Sequence, residues 1–433
     1  MRTVLRASLV GLLIAAAPSA DARVQIEHWT TSSGARAYFV ETHALPLVDV
    51  SVEFAAGSAY DPPGRAGLGQ LTRALLKGGS ERYSEAEVDR RLADAGAQLR
   101  DYFDVDRAGF ALRTLSSEDE RRSSMDTLAE ILQSPRFAAD VFEREKARAI
   151  ANAAEEDTQP DHIAEKRLYA LMYPSHPYGR TATPATLATI TREDVERHYR
   201  SRYGSAGAAV TIVGDLSIDA AKALAEQLTA RLAHGGEAAL PPAAPPGPGE
   251  TVRIAHPSTQ SHVLLGVAAL ARDDPDYFPL LVGNYILGGG GFVSRLMTEV
   301  RSKHGLAYSV YSYFYPFAQK GPFQVGLQTR RDQANEALKR VQDVIAEFAA
   351  RGPTQAELEA AKKGLVGGFP LRIDTNRKLL EQLAVIGFYR LPLDWLDTYP
   401  ARLEAVTLDQ IRSAFARRVD PKKLAIVVVG AAD

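Results

Sequence analysis

Two stretches, 46–54 and 262–269, have the apolar, β-branched look of strands. Helical patterns lie between such runs. Ser84 and Glu87 make an S-x-x-E capping box, Tyr83 and Val88 stand where a hydrophobic staple belongs, and Leu92 and Ala95 continue one apolar face to Gly96. Thr354 and Glu357 open another helix in the same way. Further on, Glu299, Val300 and Arg301 continue a helical run, Gly305 ends it, and 306–311 reads as a strand. Strands follow one another without a regular helical crossover between each pair. That order favours an α+β fold over a doubly wound sheet.

The pattern repeats. Thr191 leads through a helix to an apolar run ending at Gly214, and Thr407 leads through another to a run ending at Gly430. Threonine and glycine are 23 residues apart in both copies, and the copies are offset by 216. The same offset places Glu143 on Glu359 and Lys146 on Lys362. Nearer the front, Glu87-Val88 matches Glu299-Val300 at an offset of 212, and Tyr102-Phe103 matches Tyr313-Phe314 at 211. The common order and nearly constant offset point to a duplicated domain. A Pro/Gly-rich segment, 234–250, separates the copies as an extended, semi-rigid linker. The expected organisation is a leader at 1–22, a first domain at 23–233, the linker, and a second domain at 251–433.

The leader is read from Arg2 and Arg6, an apolar stretch over 7–17, and the small-residue site Ala20-Asp21-Ala22. Cleavage near Ala22 predicts a chain exported to a periplasm or beyond. Removing the leader leaves 49 basic and 52 acidic residues, a formal net charge of −3. With no basic stripe, a nucleic-acid partner is not expected, and no later apolar stretch reaches membrane-span length. The chain has no cysteine, hence no disulfide framework and no lipid attachment site.

The candidate chemistry gathers in 288–310. Arg301 on a last helical turn and Tyr308 at a strand entrance stand seven residues apart, straddling a helix end. A guanidinium and a phenol facing one cleft suit a peptide carbonyl and the oxyanion it becomes. The plainer alternative is a half-buried strand tyrosine and a solvated helix-end cation. Gly288, Gly289, Gly290 and Gly291 permit either the close approach of another backbone or a mobile loop. They lack the G-K-[ST] ending of a phosphate loop, and no G-x-S-x-G nucleophile elbow precedes a helix. The nine histidines include no pair spaced at three to five residues.

This layout resembles the pitrilysin/insulinase family of zinc peptidases, which includes the mitochondrial processing peptidases. The resemblance spans the chain after the leader, in both copies. It is most specific over 301–308 with the preceding glycines, which look like the family's substrate-gripping Arg/Tyr element. His176-Pro-Tyr-Gly179 and the threonine-to-glycine tails carry it more weakly. It implies two homologous domains, each a mostly antiparallel sheet packed against helices.

One departure is as informative as the match. Members that cleave peptides carry H-x-x-E-H on a helix of the first half, two histidines for zinc and a glutamate to activate water. Here Gln70, Arg73 and Ala74 stand in those places. The helix of the distal ligand reads 149–157, where Glu155 and Glu156 look like solvated charges. No metal is therefore expected on this chain, and an arginine where the base belongs repels a dication. The resemblance implies a non-metal subunit of a two-chain peptidase. Arg301 and Tyr308 would grip an unfolded peptide against a wall formed by Gly288 to Gly291, while an H-x-x-E-H partner supplies zinc. The competing expectation is a scaffold or peptide-binding protein that kept the fold without proteolysis.

Overall fold

The computed structural model of the protein describes residues 24–237 and 239–430. The expected leader lies outside them. Two sheets organise the described chain. The first holds β1 (Glu27–Thr30), β2 (Arg36–Glu41), β3 (Leu47–Phe54), β4 (Gln98–Phe103), β5 (Ala108–Leu115) and β6 (Ala209–Gly214), in the order β1-β2-β6-β3-β5-β4. The second holds β7 (Thr251–Ala255), β8 (Gln260–Leu270), β9 (Val310–Phe314), β10 (Gly321–Arg330) and β11 (Ala425–Gly430), in the order β7-β11-β8-β10-β9.

Strand for strand, β2-β6-β3-β5-β4 has the topology of β7-β11-β8-β10-β9. In each half the last strand pairs parallel with the first and antiparallel with the next, β6 on β2 and β3, β11 on β7 and β8. The remaining pairs are antiparallel, so the fold is α+β with two like halves. Tyr102-Phe103 ends β4 and Tyr313-Phe314 ends β9, at equivalent places in the two copies. Thr191 and Thr407 both cap their helices through boxes, with Asp194 and Gln410 as reciprocal partners. Both predicted boxes, Ser84 with Glu87 and Thr354 with Glu357, are formed.

Each half has its own core. Val50, Phe54, Leu71, Phe110 and Ile212 lie in the first, and Val267, Val300, Phe323, Ile345 and Phe415 in the second. The halves then exchange a helix. Helix Pro160–Met172 lays Ala164, Leu168 and Met172 on Leu264 of β8 and Val427 of β11, while helix Asn376–Tyr389 lays Leu380 and Leu383 on Tyr38 and Val213 of the first sheet. These helices begin 216 residues apart, the offset of the repeated tails, so the exchange is itself duplicated.

A buried carboxylate clasps the halves. Asp106 is fully buried and accepts from the Tyr178 hydroxyl at 2.6 Å, the Ala318 N–H at 2.7 Å and the Tyr389 hydroxyl at 2.9 Å. Tyr178 belongs to the His176-Pro-Tyr-Gly179 segment, whose His176 accepts from the Tyr178 N–H and bonds the Pro241 carbonyl at 2.8 Å. That motif therefore holds the halves and the linker together. Burial pushes the Asp106 pKa up, because a desolvated carboxylate is costly.

One expected strand is shorter. β9 starts at Val310, not at Leu306. Gly305 adopts φ +63°, the Leu306 N–H reaches back to the Val300 carbonyl at 2.9 Å, and the Thr329 hydroxyl donates to the Leu306 carbonyl at 2.5 Å. A side chain of β10 thus takes a carbonyl that ladder pairing would otherwise claim, and pairing begins at Val310 opposite Leu327.

Candidate functional site

Helix α1 (Leu68–Leu76) carries Gln70, Arg73 and Ala74, the residues the sequence reading sets in place of a zinc motif. Its start is fixed by Asp61, whose carboxylate accepts the Gly67 and Gly69 N–H groups at 2.8 and 2.7 Å. Leu68, Leu71, Leu75 and Leu76 face the core, Gln70 is exposed, and Arg73 and Ala74 are half-buried. The Arg73 guanidinium pairs closely with the Asp101 carboxylate of β4, the edge strand of the first sheet, and lies 5.8 Å from the Phe103 ring centroid. Lys77 Nζ stands 3.7 Å from the same carboxylate. Burial pulls the Arg73 pKa down, and the Arg148 cation acts in the same direction. Arginine nevertheless stays charged.

Zinc does not fit this place. Positions 70, 73 and 74 offer an amide, a guanidinium and a methyl, none of the nitrogen or carboxylate donors the metal takes. Among the described residues, no group of three or more acids and histidines can hold a metal ion. Glu155 is exposed as expected of a solvated helix charge, whereas Glu156 is half-buried and ion-paired with Lys166 at 3.2 Å.

The second half is built differently. Residues Tyr285–Gly289 and Met297–Lys303 are π-helical turns, a wide form that often accompanies functional sites. Gly288 permits the first to sit on β9, since a Cβ there would lie 2.4 Å from Ser312 Oγ and 2.6 Å from its nitrogen. Of the two glycine readings, close backbone approach describes Gly288. Asn284 locks the contact, accepting the Ser312 hydroxyl at 2.7 Å and donating to its carbonyl at 3.1 Å. Gly289 and Gly290 pack on Asn284 and Tyr285, and Gly291 takes φ +63°.

Arg301 lies in the second π-turn and is half-buried, while Tyr308 is 84% exposed rather than half-buried in a strand. The two are brought together: the Arg301 guanidinium carbon is 5.1 Å from the Tyr308 ring centroid and 4.7 Å from that of Phe292. Neighbouring charges are already matched. Glu299 holds Lys303 at 2.7 Å, and Glu357 holds Arg295 by two contacts of 2.7 Å. The Arg295 guanidinium holds the Glu357 carboxyl at a pKa of about 2. Neither the Arg301 guanidinium nor the Tyr308 hydroxyl has a hydrogen-bond or ion-pair partner among the described residues. A cavity of about 350 Å³ opens beside them, bordered by Gly288, Gly291, Phe292, Arg301, Tyr308 and Ser312. Its free donors suit a carbonyl or carboxylate oxygen. Sequence patterning does not single out Phe292, Asn284 or Ser312. The apolar pair Phe292-Val293 directly after four glycines is the available signal for the first.

Two duplicated α+β halves, an Arg301/Tyr308 pair beside a cavity, and no metal-holding cluster among the described residues characterise the chain. The family follows from comparison. Residues 38–185 match the description Insulinase (Peptidase family M16), and 189–365 match Peptidase M16 inactive domain. A crystal structure of a peptidase M16 inactive domain from Pseudomonas fluorescens is 34% identical, covers 95% of this chain and 98% of its own, and aligns with a TM-score of 0.91. The chain belongs to peptidase family M16. A non-peptidase homologue from Helicobacter pylori is 26% identical over 90% of both chains, and an uncharacterised zinc protease from Mycobacterium leprae is 27% identical over 90% of this chain and 89% of its own.

Proposed function

We propose that this chain is the exported, non-metal subunit of a two-chain peptidase. Its family membership and the match of 189–365 to an inactive domain support a catalytically inactive M16 subunit. The observation that carries the finer reading is the contrast between two arginines. Arg73 is neutralised by Asp101 where a metal site would be, whereas Arg301 keeps its donors unmatched among the described residues, beside the exposed Tyr308 side chain.

In this reading the partner, an H-x-x-E-H relative, supplies the metal and the nucleophile. This chain supplies binding and charge stabilisation. The Tyr308 hydroxyl donates to the scissile carbonyl oxygen as it becomes an oxyanion, and Arg301 grips the neighbouring backbone carbonyl. The substrate is an unfolded peptide, because backbone carbonyls must be exposed to both donors. The test is analytical ultracentrifugation of this chain with an exported H-x-x-E-H relative, with zinc measured across the boundary. A heterodimer carrying one zinc per partner chain is expected. Separate sedimentation of the two chains contradicts the reading.

A further inference from the structure

Phe292 is a large apolar side chain left 73% exposed, with Val293 beside it at 75%. Such exposure signifies little in a floppy loop, but this loop is built. Gly291 adopts φ +63°, the turn Gly291–Val293 follows, and Ser294 closes it by donating its N–H at 3.0 Å and its hydroxyl at 2.7 Å to the Gly291 carbonyl. Ser294 itself is fully buried. Behind the turn, Gly288 sits on Ser312 and Asn284 holds it there. Phe292 is therefore presented to solvent from an anchored base.

What it meets is Arg301. The guanidinium carbon is 4.7 Å from the Phe292 centroid, closer than to the Tyr308 ring. A planar guanidinium lying over a ring keeps its in-plane N–H donors free while its position is restrained. No carboxylate performs that restraint here, since Glu299 and Glu357 are held by Lys303 and Arg295. A carboxylate would also consume the donors, which a ring face does not.

We propose that Phe292 is the positioning residue of this site: its ring holds the Arg301 guanidinium so that the donors face the cavity shared with Tyr308. The inference rests on the reading of Arg301 and Tyr308 as peptide-gripping donors, but it fails separately. The probe is fluorescein-labelled oxidised insulin B chain, titrated with the chain alone and followed by anisotropy. The Arg301 side-chain Nε–H resonance, recorded without peptide, is the second readout.

Phe292→Leu removes the ring face, and Phe292→Trp keeps one. Phe292→Leu is expected to weaken peptide binding about 2–5-fold and to move the Arg301 resonance away from its ring-shifted position. Phe292→Trp is expected to retain wild-type affinity. If Phe292→Leu changes neither readout while Arg301→Ala weakens binding, Phe292 is a bystander and only the positioning claim falls. That claim falls equally if the resonance moves but affinity does not. If Phe292→Trp is as weak as Phe292→Leu, the residue touches peptide directly and the positioning claim is wrong. Loss of no affinity on Arg301→Ala and Tyr308→Phe, or no binding by the unmodified chain, contradicts the underlying reading and the proposal with it.

Discussion

Arg73 of α1 is paired with Asp101 of the edge strand β4, so an ion pair ties the helix that carries Gln70, Arg73 and Ala74 to the rim of the first sheet. The pair is mostly sheltered, with 14% of the Arg73 side chain and 34% of Asp101 exposed. Arg73→Ala leaves Asp101 with only Lys77, at 3.7 Å. Each single alanine substitution is expected to cost about 1–2 kcal/mol, and the double variant less than the sum. Chemical denaturation of the four proteins in a double-mutant cycle checks this. Additive losses would mean that the pair contributes nothing.

Asp106 carries more. Asp106→Ala orphans two phenols and one backbone N–H at the junction of the halves, at roughly 1–3 kcal/mol for each unsatisfied buried donor. A total loss of about 3 kcal/mol or more is expected. Asp106→Asn keeps an acceptor oxygen and removes the buried charge, so its loss is expected to be smaller. Thermal unfolding ranks the two, and equal losses would contradict the hydrogen-bond account.

Much of this architecture is legible in the chain. Capping boxes and apolar runs are local, so Ser84, Thr354 and the strands β3 and β8 can be read directly. The duplication is legible because both copies keep threonine-to-glycine tails. The helix exchange is not, since an amphipathic pattern over Pro160–Met172 does not say which sheet it covers. Sequence pattern puts Tyr308 in a strand because Leu306, Ala307 and Val310 look like one; the left-handed φ of Gly305 and the hydroxyl of Thr329, distant in sequence on β10, decide otherwise. The Arg301–Phe292 contact depends on the turn at Gly291, which spacing alone does not reveal.

Glu357 gives the fold a pH-sensitive tie to the site. Its pKa is lowered from the ordinary 4.5 to about 2, chiefly by hydrogen bonds from Arg295. A depressed carboxyl contributes stability above its unfolded pKa and loses it as pH falls through the folded one. The stability difference between wild type and Glu357→Gln should therefore be full above about pH 5 and vanish as pH falls from about 4.5 to about 2. Denaturation midpoints of both proteins across that range measure it. A difference unchanged at the acid end would show that the pair is not its source.

Tyr308→Phe keeps the ring beside Arg301 and removes one hydroxyl that has no hydrogen-bond partner among the described residues, from a side chain that is 84% exposed, so neither stability nor assembly should change. Turnover by the two-chain complex is expected to fall about 10²–10³-fold, the usual consequence of losing one oxyanion donor. Steady-state kinetics with the complex decide it, and unchanged turnover removes Tyr308 from the mechanism.

The most direct measurement is peptide cleavage by this chain alone, by an H-x-x-E-H relative alone, and by their equimolar mixture, with zinc content recorded for each. The account predicts activity in the mixture only, with zinc on the partner. Full activity from the partner alone would contradict it and leave this chain a scaffold or binding protein.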